Sequence, residues 1–109
     1  MAKGEFLGEF EQIVLMALIH LGENAYGMRV RQEIETRTGR AVSIGAVYAT
    51  LCRLEEKSYI SSKLSEPTAE RGGKAKRFFE ITASGVRALR HSQLALRQMM
   101  SGLPARLLN

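Results

Sequence analysis

The spacing of apolar residues changes period twice along this chain, and those two changes restrict the folds open to it. Between Phe6 and Leu54 apolar side chains recur at helical steps, over Tyr59–Glu66 and Lys76–Thr82 the pattern is that of strands on either side of a turn, and from Val86 to Leu103 the helical step returns. Helical spacing collects side chains on one face of a helix, whereas alternation collects them on one face of a strand. The pattern predicts a mainly α domain of four helices, with a small β-hairpin inserted between the third and the fourth. At 109 residues and 45% hydrophobic content, the chain can build one modest core.

The first helix is expected over about Leu7–Leu21, with Phe6, Phe10, Ile13, Val14, Ala17, Leu18 and Leu21 in register. Leu15, Met16 and Ile19 add apolar residues elsewhere on its circumference, so it is expected to be buried nearly all round. A buried strand over Ile13–Ile19 is the competing reading. Gly22 is its expected stop. Asn24 is a candidate cap for a second helix over Ala25–Thr38, turning Tyr26, Val30 and Ile34 inward and ending at Gly39. Ala41-Val42 is a possible stub of strand before the third helix.

The third helix, Ser43–Lys57, carries the most information. Ser43 can cap its first turn, and Ile44, Val47, Leu51 and Leu54 form one apolar face. The other face reads Gly45, Ala46, Ala49, Thr50, Arg53 and Lys57, with Tyr48 on its shoulder. Small residues let a helix backbone approach another surface closely, and hydroxyls with cations suit a phosphate-lined groove. Three helices with the third entered through a short turn outline a helix-turn-helix. The hairpin follows, its second strand over Lys76–Thr82. Its turn, marked by Gly72-Gly73, is flanked by Arg71, Lys74, Lys76 and Arg77, the basic tip expected of a wing.

Thr82 is the expected cap of the fourth helix. Val86, Leu89, Gln93, Leu96, Met100 and Leu103 step by threes and fours like a coiled-coil seam, and Met99 widens the stripe. A helix of about 30 Å is too long to bury such a stripe on a small domain, so a second copy is its expected cover. This divides the chain into a winged helix-turn-helix, residues 1–82, and a dimerisation helix, residues 83–109. The first four residues are expected to be disordered.

Charge follows the same division. The net charge is +5, with −3 over residues 1–25, +4 over 26–82 and +4 over 83–109, where there is no acid at all. An anionic partner is the first implied. Cys52 is the single cysteine, expected to be small and semi-buried, and allows neither an internal disulfide nor a cysteine-based metal cluster. His20 and His91 have no acid or thiol at motif spacing, and Gly72-Gly73 lacks the strand-to-helix context of a phosphate loop. No catalytic residue, metal or cofactor is expected. Glu5, Glu9 and Glu11 read as a solvated helix start. No segment has the signal-peptide pattern or the roughly 20 apolar residues of a membrane span, so the expected setting is the cytoplasm.

Four segments, Leu7-Gly-Glu-Phe-Glu-Gln-Ile-Val-Leu, Ala25-Tyr-Gly-Met, Gly45-Ala-Val-Tyr-Ala-Thr-Leu-Cys-Arg-Leu-Glu and Ile81-Thr-Ala-Ser-Gly, resemble the PadR family of bacterial transcriptional regulators in order and spacing. The resemblance runs from about residue 6 to about residue 103, and the single C-terminal helix is similar to the family's shorter members. It implies a winged helix-turn-helix with a dimerising last helix, and repression of detoxification or export genes relieved by aromatic or lipophilic ligands. Position by position it implies DNA contacts at Ser43, Gly45, Ala46, Tyr48, Ala49, Thr50 and Arg53 and at the wing cations Arg71, Lys74, Lys76 and Arg77. The expected partners are a double-stranded operator and a second copy, meeting through Val86, Leu89, Gln93, Leu96, Met99, Met100 and Leu103. Some short members hold flat drugs between paired aromatics; this chain has no tryptophan and no aromatic residue in its last helix. Phe6, Phe10, Leu96, Met99 and Met100 are the candidate lining of a pocket for a small lipophilic effector. The rival reading is a dimeric ligand-sensing or protein-interaction module whose winged helix does not bind DNA.

Overall fold

The computed structural model describes residues 5–66 and 75–108. The starting residues expected to be disordered, and the wing tip with Arg71, Gly72-Gly73 and Lys74, lie outside them. Four α-helices appear in the expected order: α1 (Glu9–Leu21), α2 (Gly27–Thr38), α3 (Ile44–Glu56) and α4 (Ala83–Met100). Strands β1 (Ile60–Leu64) and β2 (Arg77–Ile81) lie between α3 and α4 and pair antiparallel, Ile60 opposite Ile81 and Leu64 opposite Arg77.

The first three helices and the hairpin close on one core. Val14, Leu15, Val30, Ile34, Val47, Leu51, Leu54 and Ile60 are almost wholly removed from water, with Phe79, Ala88 and Leu89 packed against them. The local signals for the ends of these helices hold. Ser43 Oγ accepts from the Ala46 amide at 3.0 Å, and Thr82 Oγ1 accepts from the Gly85 amide at 3.1 Å. Gly39 ends α2 in the left-handed conformation at φ 73°, which costs glycine nothing. Gly22 stops α1 with φ 59°.

Several expectations are corrected. The first helix begins at Glu9, after the extended Gly8, because Leu7 is drawn into the core outside the helix: its amide donates to Ser92 Oγ and its carbonyl accepts from Gln12 Nε2. Ile19 is 51% exposed, so α1 is not buried nearly all round. Asn24 does not cap α2; it closes a 3-10 turn, Gly22–Asn24, and the extended Tyr26 then lies beside β2. The Phe79 amide donates to the Ala25 carbonyl at 2.9 Å, and Tyr26 bridges Phe78. Strand-like pairing before α3 is thus at residues 25–26 and not at Ala41-Val42, where the Val42 amide donates instead to a Glu35 carboxylate oxygen.

Helix α4 is used in two ways. Gly85, Ala88, Leu89 and Ser92 are buried, and Gln93 Nε2 donates to Gln12 Oε1 at 2.6 Å. A Cβ added at Gly85 would lie 2.8 Å from Ile81 Cγ1 and nearer still to the Tyr59 carbonyl oxygen, so only glycine lets α4 seat this closely. Leu89 and Gln93, expected on a dimer seam, are therefore engaged by the chain's own α1 side. Beyond Gln93 the stripe is open: Leu96, Met99, Met100 and Leu103 are exposed, Met99 by 78%.

Candidate nucleic-acid interface

Helix α3 has one buried face and one bare face. Val47, Leu51 and Leu54 are inaccessible to water, while Ser43, Gly45, Ala46, Tyr48, Ala49, Cys52 and Arg53 are exposed. Two placements differ from expectation. Thr50 is only 3% exposed and is not on the outward face. It lies three residues beyond Val47, about 60° around the helix from it, and so falls on the flank of the apolar stripe. Its hydroxyl accepts from Arg53 Nη2 at 3.4 Å. Cys52, expected to be semi-buried, is exposed among the small residues of the outer face.

The outer face is nearly flat at its N-terminal end, because Gly45, Ala46 and Ala49 add almost nothing to the backbone profile. Tyr48 is the one large side chain there, 43% exposed. Its ring lies against Gly27 at the start of α2: a Cβ on Gly27 would stand 2.8 Å from Tyr48 Cε1 and closer to Cζ and the hydroxyl. No side chain caps that end of α2, and its first turn holds no acid. The phenol is thus carried beside helix amides that favour an anion. Sequence reasoning missed Gly27. A glycine at the start of a helix, within Ala25-Tyr-Gly-Met, was the available signal.

The cations at the far end of α3 are held by acids from the N-terminal segment. Lys57 Nζ reaches Glu5 at 2.6 Å and Glu11 at 3.1 Å, and Arg53 Nε stands 3.6 Å from Glu11. The Tyr59 hydroxyl donates to Glu5 at 2.8 Å. Glu11 is a buried acid, not part of a solvated helix start. Its burial pushes its pKa up, but the Gly8 amide, Lys57 and Arg53 outweigh that, and the carboxyl ends below its usual range. Hydrogen bonds from Lys57 and Tyr59 lower Glu5, and the same carboxylate raises Lys57 and Tyr59.

At the base of the wing, Lys76 and Arg77 are exposed. Lys76 Nζ sits 4.2 Å from the centre of the Tyr26 ring, and Arg77 Nη1 donates to Ser62 Oγ at 3.0 Å. The candidate pocket residues do not gather around a cavity. Phe6 is 63% exposed, its ring 4.6 Å from that of His91, while Phe10 lies half-buried under the Arg40 guanidinium. Of the two described cavities, one of about 710 Å³ lies between the end of α1 and the hairpin, and one of about 160 Å³ between α1 and α2. Neither is lined by Phe6, Phe10, Leu96, Met99 or Met100. Among the described residues no group of three or more His, Cys, Asp or Glu could hold a metal ion, and no helix is long and apolar enough to cross a membrane.

Residues 14–91, from within α1 to the middle of α4, match the model of the transcriptional regulator PadR-like family. No curated protein sequence is significantly similar to the chain. Among solved structures, a PadR family transcription regulator from Clostridium difficile R20291 aligns with a TM-score of 0.70 at 19% identity, covering 92% of this chain and 99% of that one. A padr family transcriptional regulator from Eggerthella lenta aligns at 0.67 with 23% identity over 93% and 87% of the two chains. F93 from STIV, a winged-helix DNA-binding protein, aligns at 0.70 with 15% identity over 92% and 100%. The fold is therefore a winged helix, mainly α with one antiparallel hairpin. With more than half its length matched by the family model, the chain belongs to the PadR-like family of transcriptional regulators.

Proposed function

We propose that this protein is a sequence-specific, DNA-binding transcriptional repressor that acts in the cytoplasm as a homodimer. The observation that carries the reading is the bare outer face of α3, where Gly45, Ala46 and Ala49 leave the backbone free to approach a duplex and Tyr48 projects beside them. In this reading α3 enters the major groove, the Tyr48 hydroxyl and the amides at the start of α3 hold phosphates, and the small side chains touch base edges. Thr50, being buried, has no direct part. Arg71, Lys74, Lys76 and Arg77 run along the backbone or into the minor groove. The exposed stripe Leu96, Met99, Met100 and Leu103, joined by Val86, meets its copy and sets the two α3 helices about 34 Å apart. No bidentate arginine–guanine pair is offered by the start of α3, so DNA shape and half-site spacing supply part of the specificity. A small lipophilic effector bound between the copies relieves repression.

The test is an anisotropy titration against the DNA upstream of the protein's own gene at two salt concentrations. Saturable binding that survives competitor DNA, weakens steeply with salt and falls markedly, without vanishing, on Tyr48→Ala is the expected result. Weak binding, indifferent to sequence and to charge reversal at Arg71, Lys74 and Arg77, would instead favour a sensing or protein-interaction module.

A further inference from the structure

Gly27 is buried at the first position of α2, and its φ lies outside the left-handed range, so its backbone conformation is open to any residue. Space is what demands glycine there. The three atoms nearest to an added Cβ all belong to Tyr48: Cε1 at 2.8 Å, and Cζ and the hydroxyl closer than that. Alanine at a helical position is intrinsically better than glycine, so this glycine trades helix propensity for room. The neighbour that would have to yield is the tip of an exposed side chain, not backbone, so the consequence of filling the space is a displaced phenol and not a broken core.

We propose that Gly27 is a positioning residue for DNA binding: the missing side chain is the seat that holds the Tyr48 ring against α2 and fixes where its hydroxyl meets a phosphate. The proposal rests on the reading that Tyr48 touches DNA. Gly27 itself is buried and acts only through Tyr48. A Tyr48 deprived of its seat swings toward solvent and must be re-ordered on binding, losing the pre-organisation that makes a single hydrogen bond to a charged group useful.

The experiment is a double-mutant cycle of Gly27→Ala and Tyr48→Ala, read both by DNA affinity and by thermal melting. Tyr48→Ala should weaken binding of the dimer about hundredfold, about tenfold for the charge-assisted hydrogen bond lost in each protomer, and Gly27→Ala should lose a comparable factor with the fold intact. In the Tyr48→Ala background Gly27→Ala should change affinity by less than about twofold and should not lower the melting temperature, because the added methyl now fits. Additive losses, or Gly27→Ala leaving affinity unchanged while Tyr48→Ala weakens it, overturn the proposal. Full affinity in Tyr48→Ala sinks the DNA-contact reading itself, and the proposal with it. Should Gly27→Ala alone fail to fold, recovery of the fold by adding Tyr48→Ala supports the seat, and persistent unfolding refutes it.

Discussion

Replacing Glu11 by glutamine should lower stability and tighten DNA binding together, a pairing that general damage to the fold does not produce. The Glu11 side chain is 11% exposed, accepts from Lys57 Nζ at 3.1 Å and from the Gly8 amide at 3.0 Å, and stands 3.6 Å from Arg53 Nε. Glutamine keeps the shape and an acceptor oxygen but not the charge. Hydrogen bonds to charged groups are each worth about 1.5–3 kcal/mol. Because Lys57 retains Glu5 and the Gly8 bond survives, the expected loss is about 1–2 kcal/mol, or roughly 5–10 °C in Tm. Arg53, released from its carboxylate on the exposed face of α3, becomes free to meet a phosphate. One added phosphate contact in each protomer, two in the bound dimer, steepens the plot of log K against log salt by about 1.8; referred to roughly 1 M salt, this bounds the gain at about two-hundredfold in 50 mM salt and about eighteenfold in 200 mM. Melts at fixed protein concentration and anisotropy titrations across that salt range measure both effects. A lower Tm with an unchanged salt slope would refute the reasoning, and weaker binding would mean that Glu11 aims Arg53 at DNA instead of withholding it.

Three further outcomes are expected. Glu5 and Glu11 titrate below the ordinary 4.5 in the folded protein, so their stabilisation is full above that pH and lost as pH falls through the lowered values. Urea midpoints that stay level from neutral pH down to pH ~3 would contradict this. Lys57 and Tyr59 are raised above 10.5 and 10.0, so their share is present below those values and lost as pH rises through the higher folded ones; midpoints level from neutral pH up to pH ~11 would contradict that. Gly85→Ala should cost about 3 kcal/mol, because the new methyl meets backbone and α4 must shift bodily; a melt within about 1 kcal/mol of the parent would show that α4 is not seated there. Leu96→Asp with Met99→Asp should yield a helical, folded monomer by light scattering, since both side chains are more than half exposed and contribute nothing to the chain's own core; a persistent dimer would place the interface elsewhere.

What could be read from the sequence was what depends on near neighbours. Ser43, Thr82 and Gly39 act within four residues of themselves, and each ends or begins a helix where it was expected to. The errors share a non-local cause. Asn24 has the chemistry of a cap, but the Ala25 carbonyl is claimed by the Phe79 amide, far along the chain, and the helix waits until after the extended Tyr26. Glu11 looked like a solvated acid at a helix start until Lys57 and Arg53 were brought to it across the fold. Thr50 was misplaced because a count of apolar residues underestimates the width of a buried stripe that a hydroxyl can share. Gly27 was legible as a glycine but not as a space, since its occupant comes from another helix.

The last helix shows why one periodicity supports two readings. Steps of three and four describe equally a helix packed on its own domain and a helix waiting for a partner, and α4 satisfies both along its length. Ala88, Leu89 and Ser92 lie in the core, and the Ser92 hydroxyl takes the Leu7 amide that α1 leaves free. Leu7 follows directly on Glu5 and Phe6, which bond Lys57 at the end of α3 and stack on His91. The N-terminal segment therefore ties the exit of α3 to the middle of α4 by contacts on both sides. A boundary drawn before Ala83 cuts through this packing, whereas one drawn after Gln93 separates the buried part of α4 from the exposed part.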